Sequence, residues 1–137
     1  MKHFLKYLVL LLIGGSIYYM IEVLARGFSH WTMFLVGGIC FILVGIINEI
    51  TPKIPLIRQM FLSAIIITVV EFISGCILNL WLEWNIWDYS DEIGNILGQI
   101  CVKHSIYWFL LASIGIVVDD YIRYFLFGEE KPKYTII

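Results

Sequence analysis

Apolar residues fall into four long runs, at about 6–25, 30–48, 57–82 and 97–118, separated by short polar stretches. A helix needs roughly 20 mostly apolar residues to cross the hydrocarbon of a bilayer, and each run meets that length. The pattern predicts an all-α protein, a four-helix transmembrane bundle forming one integral-membrane domain over 1–137 with a short polar tail. Lys2 and Lys6 precede the first run as they would in a signal peptide. The run continues through Ser16, Tyr18 and Tyr19 to Glu22, too long for such a segment, and no small-residue cleavage site follows.

Polar residues inside the runs are the informative exceptions. Glu71 sits past the midplane of the third span, toward its far end, where an ionised carboxylate costs about 2.5–3.5 kcal/mol on insertion scales and must be paired, protonated or facing water. Gly75 offers a flexible point, after which 77–87 reads as an amphipathic interfacial segment carrying Trp81, Trp84 and Trp87 at headgroup depth. The connector 83–92 holds four acids and no Lys or Arg. Asp88, Ser90 and Asp91 there can bond back to nearby backbone, Gly94 and Asn95 can take positive φ, and Ser90, Asp91 and Glu92 can cap a short helical turn.

In the fourth span Gln99, Lys103 and Tyr107 share one stripe, beside a second stripe of Ile100, His104 and Trp108. Lys103 lies at a depth similar to Glu71, which makes it the expected partner of that acid. At the end of the first span Glu22 and Arg26 are four apart, the acid first, an orientation that favours an ion pair. Gly14, Gly15 and Ser16 in the first span, and Gly37, Gly38 and Gly45 in the second, predict close helix contacts. Pro52 and Pro55 stiffen the turn between the second and third spans. Asp119 and Asp120, with 121–127, read as an amphipathic or frayed end.

Composition agrees with this reading. Of 137 residues 61% are apolar and 15% charged, against about a quarter charged in soluble proteins, and the mean hydropathy is +0.89. The net charge of −2, without a dense basic cluster, gives no reason to expect nucleic acid as a partner. Lys2, Lys6, Lys53, Arg58, Arg123, Lys131 and Lys133 flank one side of the spans and Arg26 the other. That asymmetry predicts a cell-membrane protein with both termini cytoplasmic and the acidic connector outside. Cys40, Cys76 and Cys101 are odd in number and lie in or beside apolar runs, so they read as buried thiols. Cys101 and His104 share a face but lack the further ligands of a metal site, and no cofactor is expected.

The two halves echo each other. Reading Gly37-Gly38-Ile39-Cys40 over Gly98-Gln99-Ile100-Cys101 aligns two helical hairpins, each with an acid, Glu22 or Glu71, near the far end of its first helix. A duplication of hairpins would relate the halves by a pseudo-twofold along the membrane normal.

The run from Glu71 through Trp87-Asp88-Tyr89-Ser90, with Asn95, Gly98, Ile100-Cys101, Ser105 and Trp108, resembles the CmpB-like, putative ABC-transporter type IV family of small multi-spanning membrane proteins, found mainly in Gram-positive bacteria. The resemblance implies a transporter. The chain carries no P-loop, so any ATPase would be a separate chain. The reading that follows is a small transporter or permease-like subunit, a homo-oligomer or paired with another membrane subunit. Its outer-facing ligand site would draw on Glu71, Gln99, Lys103 and His104 beneath a lid of Trp87, Asp88, Tyr89 and Asn95, with Glu22 and Arg26 as a second acid and its partner. The alternative is a non-transporting membrane scaffold or sensor. Enzyme chemistry is not expected, because His104 and Ser105 are sequence neighbours that do not share a helix face.

Overall fold

The computed structural model describes residues 2–51 and 53–136 and is a bundle of four long helices. They are α1 (Lys2–Arg26), α2 (Trp31–Ile50), α3 (Leu56–Gly75) and α4 (Val102–Phe127). A π-helical turn, Cys76–Trp81, prolongs α3. Four segments, with α3 and its π turn as one, are long and apolar enough to cross a membrane. Their outward faces carry Leu12, Leu35, Phe61, Ile65, Ile73, Ile106 and Ile114, all well exposed. Such a surface suits lipid, since lipid tails solvate it at no cost and each helix satisfies its own backbone.

Neighbouring helices pack as two hairpins, α1 on α2 and α3 on α4, with α2 also against α3 and α4. Small residues set the first interface. A Cβ on Gly14 would lie 2.4 Å from Phe41, one on Gly37 2.5 Å from Tyr18, and one on Gly38 2.6 Å from the Leu11 carbonyl oxygen. The backbones therefore approach through the glycines, as close membrane packing requires. Gly45 does the same for α4, with Asp119 and Arg123 filling the space a Cβ would need. Val44, Ala112 and Ile116 form the centre of the core.

The start of α1 and the segment after α4 lie at one end of the bundle, where Lys6 Nζ reaches Glu129 Oε2 at 3.1 Å. The connector lies at the other. Gly128, in the left-handed region at φ 66, ends α4, and the Gly128 and Glu129 N–H groups both return to the Arg123 carbonyl, the latter at 3.1 Å. His30 caps α2 by accepting from the Thr32 N–H.

Several expectations need correction. Helix α4 begins at Val102, not 97, although 96–101 is largely apolar. Leu97 and Gly98 both take positive φ, and Ile96 N–H bonds to Ile100 O, closing a tight turn. At its other end α4 continues to Phe127 because Asp119, Asp120 and Arg123 are buried together instead of fraying into solvent. The segment after Gly75 is a helical extension of α3, and Gly75 is a point of close approach, its absent Cβ leaving room for Gln99 and Trp87. Ser90, Asp91 and Glu92 form turns without a helix, the Glu92 N–H returning to Tyr89 O. The close contacts expected of the α2 glycines form, Gly38 against α1 and Gly45 against α4. The polar tail folds back: Leu56 N–H donates to Thr135 O at 2.7 Å and Ile57 N–H to Ile136 O, so the tail caps the start of α3. The expected stiffening at Pro52 lies outside the described residues.

Candidate functional site

Glu71 is 5% exposed, near the connector end of α3. Its Oε1 accepts from Trp108 Nε1 of α4 and its Oε2 from the Tyr89 hydroxyl, each at 3.2 Å. Lys103 is not its partner. That side chain is half exposed and reaches Glu92 Oε1 at 3.3 Å, because its position on α4 faces the connector and not α3. Among the described residues Glu71 makes no ion pair, so two neutral donors hold a buried carboxyl.

Asn79, which the sequence reading passed over, organises the connector. The π turn aims its side chain inward, 7% exposed. Its Oδ1 accepts from the Ile86 N–H at 2.7 Å, and its Nδ2 donates to Gln99 Oε1 at 2.8 Å. Gln99 in turn donates to Leu97 O, and Trp87 Nε1 donates to Gln99 O at 3.0 Å. Trp87 is thus a buried anchor of the connector in this structure. Asp88 accepts from the Ser90 hydroxyl and N–H, which holds its carboxyl below the usual carboxylate range. Asn95 bridges Ser90 O and Glu92 O and accepts from the Gly98 N–H. Gly98 is obligatory here, at φ +72 with Asp88 and Ser90 where a Cβ would sit.

The predicted ligand set therefore divides. Gln99, Trp87, Asp88 and Asn95 build the connector, Lys103 lies outside, Tyr89 comes to Glu71, and His104 packs behind Tyr89. His104 stacks on Tyr89 with centroids 4.2 Å apart and places Nδ1 3.1 Å from Cys101 Sγ. Burial, and then the Glu71 carboxylate, push the Tyr89 phenol well above its ordinary range. The Glu22–Arg26 pair forms at 2.8 Å, and the Tyr18 hydroxyl donates to Glu22 at 3.0 Å.

Two cavities meet at these residues. A central one of about 170 Å³ runs between all four helices, walled by Gly14, Met33, Cys40, Val44, Val118 and Glu71. A second, of about 440 Å³, opens sideways between α1 and α4, with Glu22, Ala25, Arg26, Tyr89, His104 and Tyr107 along it. Tyr18 and Trp108, 5.8 Å apart by ring centroid, line both.

A second polar centre lies at the end bearing the termini. Arg123, 3% exposed, pairs with Asp119 at 3.0 Å and with Glu49, and Glu49 also takes Lys6 at 3.3 Å and the Tyr7 hydroxyl at 2.9 Å. Asp120 accepts from Asn48 at 2.9 Å and from Tyr134 of the tail at 2.8 Å. Burial and the Asp120 carboxylate raise the Tyr134 phenol above its ordinary range. The Asp119–Arg123 spacing of four was the available signal for this cluster.

Fold and site together define a small polytopic membrane protein with a buried acid at one end of its core and an ion cluster at the other. The chain belongs to the family described as putative ABC-transporter type IV, whose profile matches residues 4–133, nearly the whole sequence. No curated protein and no solved structure matches it.

Proposed function

We propose that this chain is the membrane-embedded subunit of a transporter in the bacterial cell membrane, with both termini cytoplasmic and energy supplied by a separate ATPase chain. One observation carries the reading: Glu71, without an ion-pair partner among the described residues, faces a cavity within the bundle. Burying an unpaired acid lowers stability, and a solute site is a function that offsets this. Toward the termini the lining ends at Val44 and Val118, next in sequence to Gly45 and to Asp119 of the ion cluster. In this reading the cluster is the cytoplasmic gate and Glu71 the solute-facing group. The basic flanks at the terminal end support the orientation.

Cys40 lines the cavity and serves as a native reporter. In a variant with Cys76 and Cys101 replaced by Ser, membrane-impermeant thiol reagents are applied to right-side-out and inside-out vesicles. The transport reading predicts that Cys40 reacts from both sides. A Lys6→Cys/Glu129→Cys cross-link should abolish the cytoplasmic reaction only, added after Cys40 is assayed for cross-reaction. Reaction from one side alone, unaffected by the cross-link, would support a scaffold instead.

A further inference from the structure

Resting on that reading, we propose that the Glu71 site takes an organic cation with an apolar body, admitted sideways from the outer leaflet through the cleft between α1 and α4. The cleft has the shape of such a path. It leads from the bundle flank, where Leu110 is 57% exposed, to the Tyr18–Trp108 pair that also lines the central cavity. An apolar solute already dissolved in lipid reaches this opening without crossing water.

The charge along the path selects a cation. Arg26 is engaged by Glu22 at 2.8 Å and lies over the Phe28 ring, and Lys103 is turned to Glu92. Along this path Glu71 is the carboxyl that pairs with no cation among the described residues. Tyr89 and Trp108 reach it through their O–H and N–H edges, and Tyr18 packs on Trp108 beside it, so the carboxyl lies in an aromatic, desolvated setting that suits a cation with an apolar body. Trp108 and Tyr89 donate hydrogen bonds that hold the carboxyl in place without neutralising it. An anionic solute would meet this carboxyl directly and is disfavoured.

Two ions of equal shape and opposite charge test the claim: tetraphenylphosphonium and tetraphenylborate, each measured by equilibrium dialysis against purified protein in detergent and corrected with empty micelles. The phosphonium should bind at least about tenfold more tightly than the borate. Glu71→Gln should remove that preference, Ala25→Trp in the cleft wall should weaken phosphonium binding, and Lys103→Met should change nothing. Equal binding of the two ions overturns the proposal, as does full phosphonium binding by Glu71→Gln. If Glu71→Gln does not fold, Ala25→Trp decides, and unaltered binding there overturns it. Cys40 reacting from both sides without phosphonium preference would leave transport standing and remove the solute class. Phosphonium binding with Cys40 reactive from one side would keep the site and remove transport.

Discussion

The side-chain amide of Asn79 donates to Gln99 Oε1 at 2.8 Å, joining the end of the third membrane segment to the turn before the fourth. The same Asn79 receives the Ile86 N–H. One polar residue in the apolar stretch CILNLW therefore fixes both ends of the connector. Replacing it with Leu orphans buried groups on Ile86 and Gln99, each worth about 1–3 kcal/mol when left unmade. Asn79→Leu should lower the melting temperature in detergent and release Trp87 to solvent, seen as a red-shifted emission. Asn79→Asp, which keeps the acceptor for Ile86, should be the milder change in Trp87 burial.

The ion cluster gives a second expectation. Arg123→Met leaves Asp119 buried without its cation, which typically costs about 3–5 kcal/mol, whereas Asp119→Asn with Arg123→Met should recover part of that loss. A double-variant cycle on thermal unfolding measures the coupling. Strict additivity would show that the two residues do not act together.

Glycine placement can be tested by an internal comparison. An added methyl at Gly45 meets Asp119 oxygens at 2.6 Å, while Gly115 has open space around it. Gly45→Ala should cost about 1–3 kcal/mol through overpacking. Gly115→Ala should be neutral or slightly stabilising, since Ala is the better helix former.

Acid should loosen the connector at a defined place. The Asp88 carboxyl is held below its ordinary range by Ser90. A depressed value means the stabilisation is complete above the unfolded-state pKa and disappears as pH falls through the folded-state one. Limited proteolysis of the connector should therefore be unchanged from neutral pH to about 4.5 and increase below the ordinary aspartate value, about 3.9. Ser90→Ala should move the increase to higher pH.

The spans were legible because a bilayer demands length and hydropathy, and little else in 137 residues competes with that signal. Glu22 with Arg26 was legible as well, being a local pair on one helix. Glu71 stood out as an acid in hydrocarbon, but its partners did not. Depth along the axis matched it to Lys103, whereas rotation about α4 decides contact, and that rotation points Trp108 inward and Lys103 at Glu92. The turn at 96–101 was hidden by its apolar composition, since hydropathy does not register the positive φ of Leu97 and Gly98. Asp120 was misread because its partners, Asn48 and Tyr134, are distant in sequence.

Transport by this chain requires the ion cluster to open. Spin labels at Ile50 and Leu126, exposed positions at the terminal ends of α2 and α4, report that opening by pulsed dipolar spectroscopy in lipid nanodiscs. A transporter gate predicts two distance populations, with the longer one enriched by Arg123→Met and suppressed by the Lys6→Cys/Glu129→Cys cross-link. A single narrow distance that neither change alters would contradict it.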